Sequence, residues 1–171
     1  MKLVRESSGM AIGNKDKSLV GAAGEHLVLS RLLARDLLAS QAPRGTRKAD
    51  VLLNPLDGGK PRLIQVKTRT ADGGSLGWHM GLKHESINEK DLFYAFVNLE
   101  LNNSQVWVIP SKVVAKVVTD SHAEWLRTPG KNGQKHNETD MRRIKNDYGP
   151  AFKTIKPSLM DKYLEAWDLL D

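Results

Sequence analysis

Three polar residues in two short apolar segments are the side chains of this chain best placed to act together. Asp50 precedes Val51-Leu52-Leu53, and Gln65 and Lys67 lie within Arg62-Leu63-Ile64-Gln65-Val66-Lys67-Thr68-Arg69. Side chains on a strand alternate between faces, so Leu63, Gln65, Lys67 and Arg69 share one face while Ile64 and Val66 take the other. Ile64 and Val66 are expected in the core, with Gln65 and Lys67 projecting side by side. Between the segments, Asn54-Pro55-Leu56-Asp57-Gly58-Gly59-Lys60-Pro61 is a dense turn signal that predicts a hairpin and could bring Asp50 beside that pair. A carboxylate, an amide and an ammonium would then share one rim. A half-exposed strand with ordinary polar residues is the plainer alternative, and for any one of them taken alone it is the better account.

The elements that must position these groups follow from pattern. Met1 to Lys17 reads as an irregular leader. Ser18 offers an N-cap, and Leu19 to Leu38, rich in Ala and Leu and free of Pro, predicts a helix. Its apolar residues wrap most of its circumference, so cover from more than one side is expected. Trp78 and Met80 alternate around His79, which allows a short strand. Leu92 to Val97 and Val106 to Ile109 are aromatic and β-branched and predict two more. Ser111 can cap a helix from Lys112 to about Val118. Thr128 to Asn137 reads as a loop, and Leu159 to Leu170 as a final amphipathic helix. No repeat or long linker divides the chain. The expected organisation is a single α/β domain over 18–171, with a mixed sheet flanked by helices and a basic extension from about 119.

Composition narrows the function classes. The 171 residues include 26 Lys plus Arg against 20 Asp plus Glu, for a formal charge of +6, and no Cys. A disulfide scaffold, a Cys-ligated zinc site and a thiol nucleophile are excluded. Apolar runs fall far short of the ~20 residues of a membrane span, and no signal-peptide core is visible, so a cytoplasmic protein without membrane partners is expected. Basic residues outnumber acidic ones by nine to four over Arg31–Asp72 and by seven to three over Lys131–Lys156. Two such stretches could converge on a polyanion.

The joint order of a helix carrying Glu25, Asp50 entering an apolar strand, a turn and then Gln65-Val66-Lys67 resembles the PD-(D/E)XK nuclease superfamily. Within it, the Gln-x-Lys variant is similar to the group I intron homing endonuclease-like and Holliday-junction-resolvase-like members. The likeness covers roughly Gly21 to Val118, including the aromatic strand and the Pro110-Ser111 helix start. It implies a restriction-endonuclease-like core in αβββαβ order and a Mg²⁺- or Mn²⁺-dependent endonuclease acting on DNA more than RNA. Asp50 would then be the main metal ligand, with the Val66 carbonyl, the Gln65 amide oxygen and Glu25 completing the set. Lys67 would orient or deprotonate water and screen the phosphate. Ala49 departs from the motif's proline, and Gln65 replaces an acid, which removes one formal charge and implies weaker metal binding with more reliance on Glu25.

Several readings stay open at this level. Glu25 could instead pair with Arg47 or Lys48 in a structural ion pair. Arg44, Arg47, Lys48 and Arg69 could hold a nucleic-acid backbone, and Lys131, Lys135, Arg142, Arg143 and Lys145 could extend that groove. A homodimer is the simplest way to present two sites. The missing acid at position 65 supports a competing class, a nuclease-like fold without hydrolysis that binds nucleic acid or protein; an unrelated, merely basic α/β protein is a third. The five histidines lack HExxH spacing, Gly73-Gly74-Ser75 lacks the ending of a phosphate loop, and no Gly-x-Ser-x-Gly elbow occurs.

Overall fold

The structure is a computed structural model that describes residues 16–70, 77–130, 132–149 and 152–170. It opens with helix α1, Lys17–Leu33. The N-cap is Asp16, not Ser18: the Asp16 carboxylate accepts from the Ser18 backbone N–H at 2.8 Å. A carboxylate there satisfies orphan N–H groups and suits the helix dipole. Residues 1–15 of the expected leader lie outside the described residues, whereas Lys17 opens the helix. The helix also ends five residues before Leu38. Asp36 adopts φ 60, and the Leu37 N–H closes back on the Leu32 carbonyl. Leu37 and Leu38 instead lead into strand β1, Ala39–Gln41, which the sequence reading missed.

Strands β2 (Val51–Leu53) and β3 (Arg62–Thr70) form the expected antiparallel pair, with Val51 opposite Ile64. Strand β4, Trp78–Gly81, and a 3-10 turn at Leu82–Glu85 lie on the crossover to β5, Leu92–Leu99. β5 pairs parallel to β3, which such a crossover permits. Strand β6, Gln105–Pro110, returns antiparallel to β5. The central sheet is therefore mixed and five-stranded, in the order β1-β2-β3-β5-β6. Helix α2 follows as Ser111–Arg127, nine residues beyond the expected end at Val118, because Val114, Val117, Val118 and Ser121 continue its buried stripe. Strand β7, Met141–Ile144, lies within the expected basic extension and pairs with β4 in a separate two-stranded sheet. Its alternate residues Arg142 and Ile144 face inward.

One face of the central sheet, built from Val51, Ile64, Val66, Ala95 and Val108, packs against Val28 and Leu32 of α1. The buried stripe of α1 is narrow (Gly24, Val28, Leu32), and Leu19 and Leu33 are exposed, so the helix lies on the surface and is covered from one side. The other face, with Leu92, Tyr94, Phe96, Trp107 and Ile109, packs against α2. Trp107 belongs to this core, its ring 5.3 Å edge-on from Trp78. β5 is buried on both faces, as its continuous apolar run requires.

The C-terminal segment is not one amphipathic helix but two 3-10 helices, Pro157–Tyr163 and Trp167–Leu170. Between them, Leu164 bridges Trp107, and Glu165 takes φ 52. The Glu165 N–H donates to the Val106 carbonyl at 2.7 Å, and its carboxylate accepts from the Val106 N–H at 2.9 Å and from Arg31. Strand-like docking on β6 thus replaces continuous helix. Among the described residues, no helix is long and apolar enough to cross a membrane.

Candidate functional site

β2 is three residues long, so its pairing with β3 runs out at Ile64. The Asp50 N–H still donates to the Ile64 carbonyl at 2.9 Å. One strand step further on, the Val66 N–H donates instead to the Asp50 carboxylate oxygen Oδ2 at 2.8 Å. In a strand, the N–H and C=O of one residue point to the same side, so the Val66 carbonyl faces this edge beside Asp50. The sheet therefore gives way here to a side chain that is held by the backbone next to a main-chain carbonyl.

Gln65 and Lys67 sit on the α2-side face of β3, alongside Tyr94 and Phe96 of the parallel neighbour. Asp50, one residue out of phase with Val51, turns to that side too. Glu25 comes from α1, whose close approach to β3 depends on Gly24: a Cβ at that position would meet Thr68 Oγ1 at 1.9 Å. Glu25, Asp50 and Lys67 share one electrostatic environment. Burial first, then the negative charge of Asp50, push the Glu25 carboxyl above its ordinary range, against the pull of His26 and Lys67. Burial pulls the Lys67 ammonium below its ordinary value; Asp50 opposes this, Lys83 adds to it, and Glu25 opposes it more weakly. Glu25, Asp50, Gln65 and Lys67 are all half-buried, so the cluster reaches solvent. Glu25 has no ion pair with Arg47 or Lys48 among the described residues.

The amide oxygen Oε1 of Gln65 is buried and has no hydrogen-bond partner among the described residues. An unmet buried acceptor costs about 1–3 kcal/mol, so this atom, beside a fixed carboxylate and a strand-edge carbonyl, is suited to a cation. Among the described residues, no group of three or more His, Cys, Asp or Glu side chains could hold a metal. The potential donor set is instead two carboxylates, an amide oxygen and a main-chain oxygen. All are hard oxygens of the kind Mg²⁺ and Mn²⁺ accept.

Three neighbours escaped the sequence reading. Lys83 and His84 enter from the 3-10 turn, and both they and Lys67 are close enough to influence one another. His84 is 4% exposed, and its Nδ1 shares a 2.7 Å hydrogen bond with the Tyr94 hydroxyl. Burial, then Lys67 and Lys83, lower its pKa to about 4; burial, then Glu89, raise that of Tyr94 to about 12. Tyr94 stands beside Gln65 in register. Only knowledge of the β3–β5 pairing would have brought these residues into view, since no motif spacing marks them.

The expected nucleic-acid contacts separate into two groups. Arg44 and Arg47 are exposed on the β1–β2 connection, Lys135 is exposed, and Arg143 is half-buried on β7. Lys131 lies outside the described residues. Lys48 adopts φ 66 and pairs with Glu89. Arg69 is a tie within the fold, bonded to Asn98 and Asn146 with its guanidinium 4.4 Å over the Trp78 ring. Arg142 is a correction to the expected groove: it is 4% exposed, and its guanidinium is taken up by Glu85 and the Thr139 and Met141 carbonyls.

No family model matches this chain, and no curated protein matches it. Among solved structures, it is similar to the bacterial homing endonuclease I-Ssp6803I, with a TM-score of 0.50 and 15% sequence identity. The match covers 91% of this chain and 93% of that one. At this identity the likeness shows the fold alone: a mixed α/β arrangement with a central five-stranded sheet.

Proposed function

We propose that the chain is a divalent-metal-dependent endonuclease that hydrolyses phosphodiester bonds in DNA. The observation that carries this reading is the Asp50 carboxylate, pinned to the Val66 N–H beside a Gln65 amide oxygen that is buried and unbonded among the described residues. Asp50, Gln65, the Val66 carbonyl and Glu25 would hold Mg²⁺ or Mn²⁺. When bound, the ion supplies a Lewis acid for a non-bridging phosphate oxygen and lowers the pKa of a water nucleophile. The protein's own groups do the rest. The Asp50 hydrogen bond fixes its carboxylate before a ligand arrives, so little reorganisation remains. Lys67, with a depressed pKa, either gives positive charge to the scissile phosphate or, once neutral, takes a proton at Nζ. Glu25, with a raised pKa, can accept a proton or become fully charged when a cation is present. Arg44 and Arg47, and further off Lys135 and Arg143, are available for backbone phosphates. A homodimer would supply a second site for the opposite strand.

The donor set contains only two carboxylates, which supports a second reading: a nuclease-like fold that binds nucleic acid or protein without cutting. Plasmid relaxation separates the two. With Mg²⁺ or Mn²⁺ the native chain should nick supercoiled DNA, and Asp50→Ala and Lys67→Ala should slow it by ~100-fold or more. Equal cleavage by all three proteins would reject the assignment. DNA retention with a steep salt dependence, no metal requirement and no cleavage would favour the binding module.

A further inference from the structure

A second concave site lies between the C-terminal half of α2 and strand β7. It is a cavity of about 250 Å³, with Trp125, Tyr148 and Phe152 as aromatic walls and Arg143 and Lys145 as cationic ones. Among the described residues, no carboxylate lines it. The nearby acids are already engaged, Glu138 and Glu85 with Arg142 of the cavity wall. Glu138 also binds His122, and Glu124 accepts from the backbone of Lys153 and Thr154. Arg143 makes no hydrogen bond or ion pair among the described residues. The Lys145 ammonium sits 5.0 Å over the Phe152 ring, and burial, then Arg143, lower its pKa. Asp147 partly offsets the charge of Lys145, which leaves Arg143 as the neighbouring cation with room for an anion.

The aromatic side is equally unusual for this molecule. Trp78, Trp107 and Trp167 are only 2%, 5% and 4% exposed, whereas Trp125 is half-buried and faces the cavity. A ligand that satisfies both walls must be flat and aromatic at one end and anionic at the other. His136 stacks on Trp125 at 4.0 Å and Lys145 lies over Phe152; a simple phosphate adds nothing to these rings, an apolar peptide leaves Arg143 unmet, and a volume below that of drug-sized pockets (about 300–1,000 Å³) suits one monomer. We propose that the α2–β7 cavity is a nucleotide site, with the base against Trp125 and Phe152 and the phosphate between Arg143 and Lys145. The shared chemistry, base plus phosphate, is presented both by a free mononucleotide and by an unpaired nucleotide within a strand. The site does not rest on the nuclease reading, because its test is binding without metal.

Tryptophan emission, dominated in its response by half-buried Trp125, should be quenched saturably by deoxyadenosine monophosphate in EDTA. Deoxyadenosine and inorganic phosphate, each alone, should bind about tenfold more weakly or worse, and Arg143→Gln should cost about tenfold. Trp125→Phe should abolish the optical signal while calorimetry still detects binding, which shows that the reporter is local. If the free nucleotide is silent, a duplex with one unpaired adenosine should quench and the same duplex with an abasic site should not. That result assigns the site to a strand-borne base. The proposal fails if neither ligand quenches at millimolar concentration, if phosphate alone binds as well as the nucleotide, or if a folded Arg143→Gln protein binds as tightly as the native one.

Discussion

Gly24→Ala sets two opposing effects of known size against each other at the contact that seats α1 on the sheet. In an isolated helix the change is favourable by about 1 kcal/mol, because Gly is the more flexible residue. Here the added methyl would lie 1.9 Å from Thr68 Oγ1 and 2.8 Å from both Thr68 Cβ and Cγ2. Overpacking a close contact costs about 1–3 kcal/mol, and a methyl this deep inside contact distance belongs at the upper end. The net loss should be about 2 kcal/mol, a fall in Tm of roughly 4–8 °C for a domain of this length. Thr68→Ala in the same background removes the nearest atom and should recover part of the loss, which a urea double-mutant cycle would measure. The clash also falls between the candidate groups, since Glu25 follows Gly24 and Lys67 precedes Thr68. Retraction of α1 by about 1 Å should therefore lower nicking by up to ~100-fold, beyond what the folded fraction explains. A Gly24→Ala protein as stable as the native chain, or more so, would mean that helix propensity wins and that the close approach does not seat the helix.

Two further outcomes follow from the site. Gln65→Glu restores a formal charge next to Asp50 and should tighten Mg²⁺ binding by about tenfold, because affinity at such sites tracks ligand charge; an unchanged calorimetric titration would remove Gln65 from the donor set. His84 titrates at about 4 in the fold against 6.5 when free, so the unfolded chain binds more protons between those values. Stability should decline as pH falls through that window and should do so less steeply in His84→Gln, as read from denaturation midpoints; parallel slopes would show that the buried imidazole is not the group responsible.

What could be read from the letters was whatever depends on local alternation. The period-2 pattern of Arg62–Arg69 and the turn after Asn54 are enough to turn Gln65 and Lys67 to one face and bring Asp50 alongside. The strands at Leu92 and Val106 announce themselves through aromatic and β-branched runs. Failures arose where tertiary contacts overrode local preference. Leu159–Leu170 has helical spacing, yet docking on the β6 backbone breaks it at Leu164 and Glu165. Arg142 and Arg143 are adjacent basic letters, but pairing with β4 buries one and leaves the other half-buried. His84 and Tyr94 are ten residues apart without a motif, and only the parallel pairing of β3 with β5 sets them under Gln65 and Lys67.

The docking of Leu164 and Glu165 on β6 has a consequence for how copies of this chain can meet. A bare outer strand is a template on which another chain's strand can grow. Here the Val106 amide and carbonyl are already occupied by Glu165 of the same chain. At the opposite margin, β1 offers only three residues. Strand-on-strand stacking through β6 would first have to peel away this built-in guard at Val106.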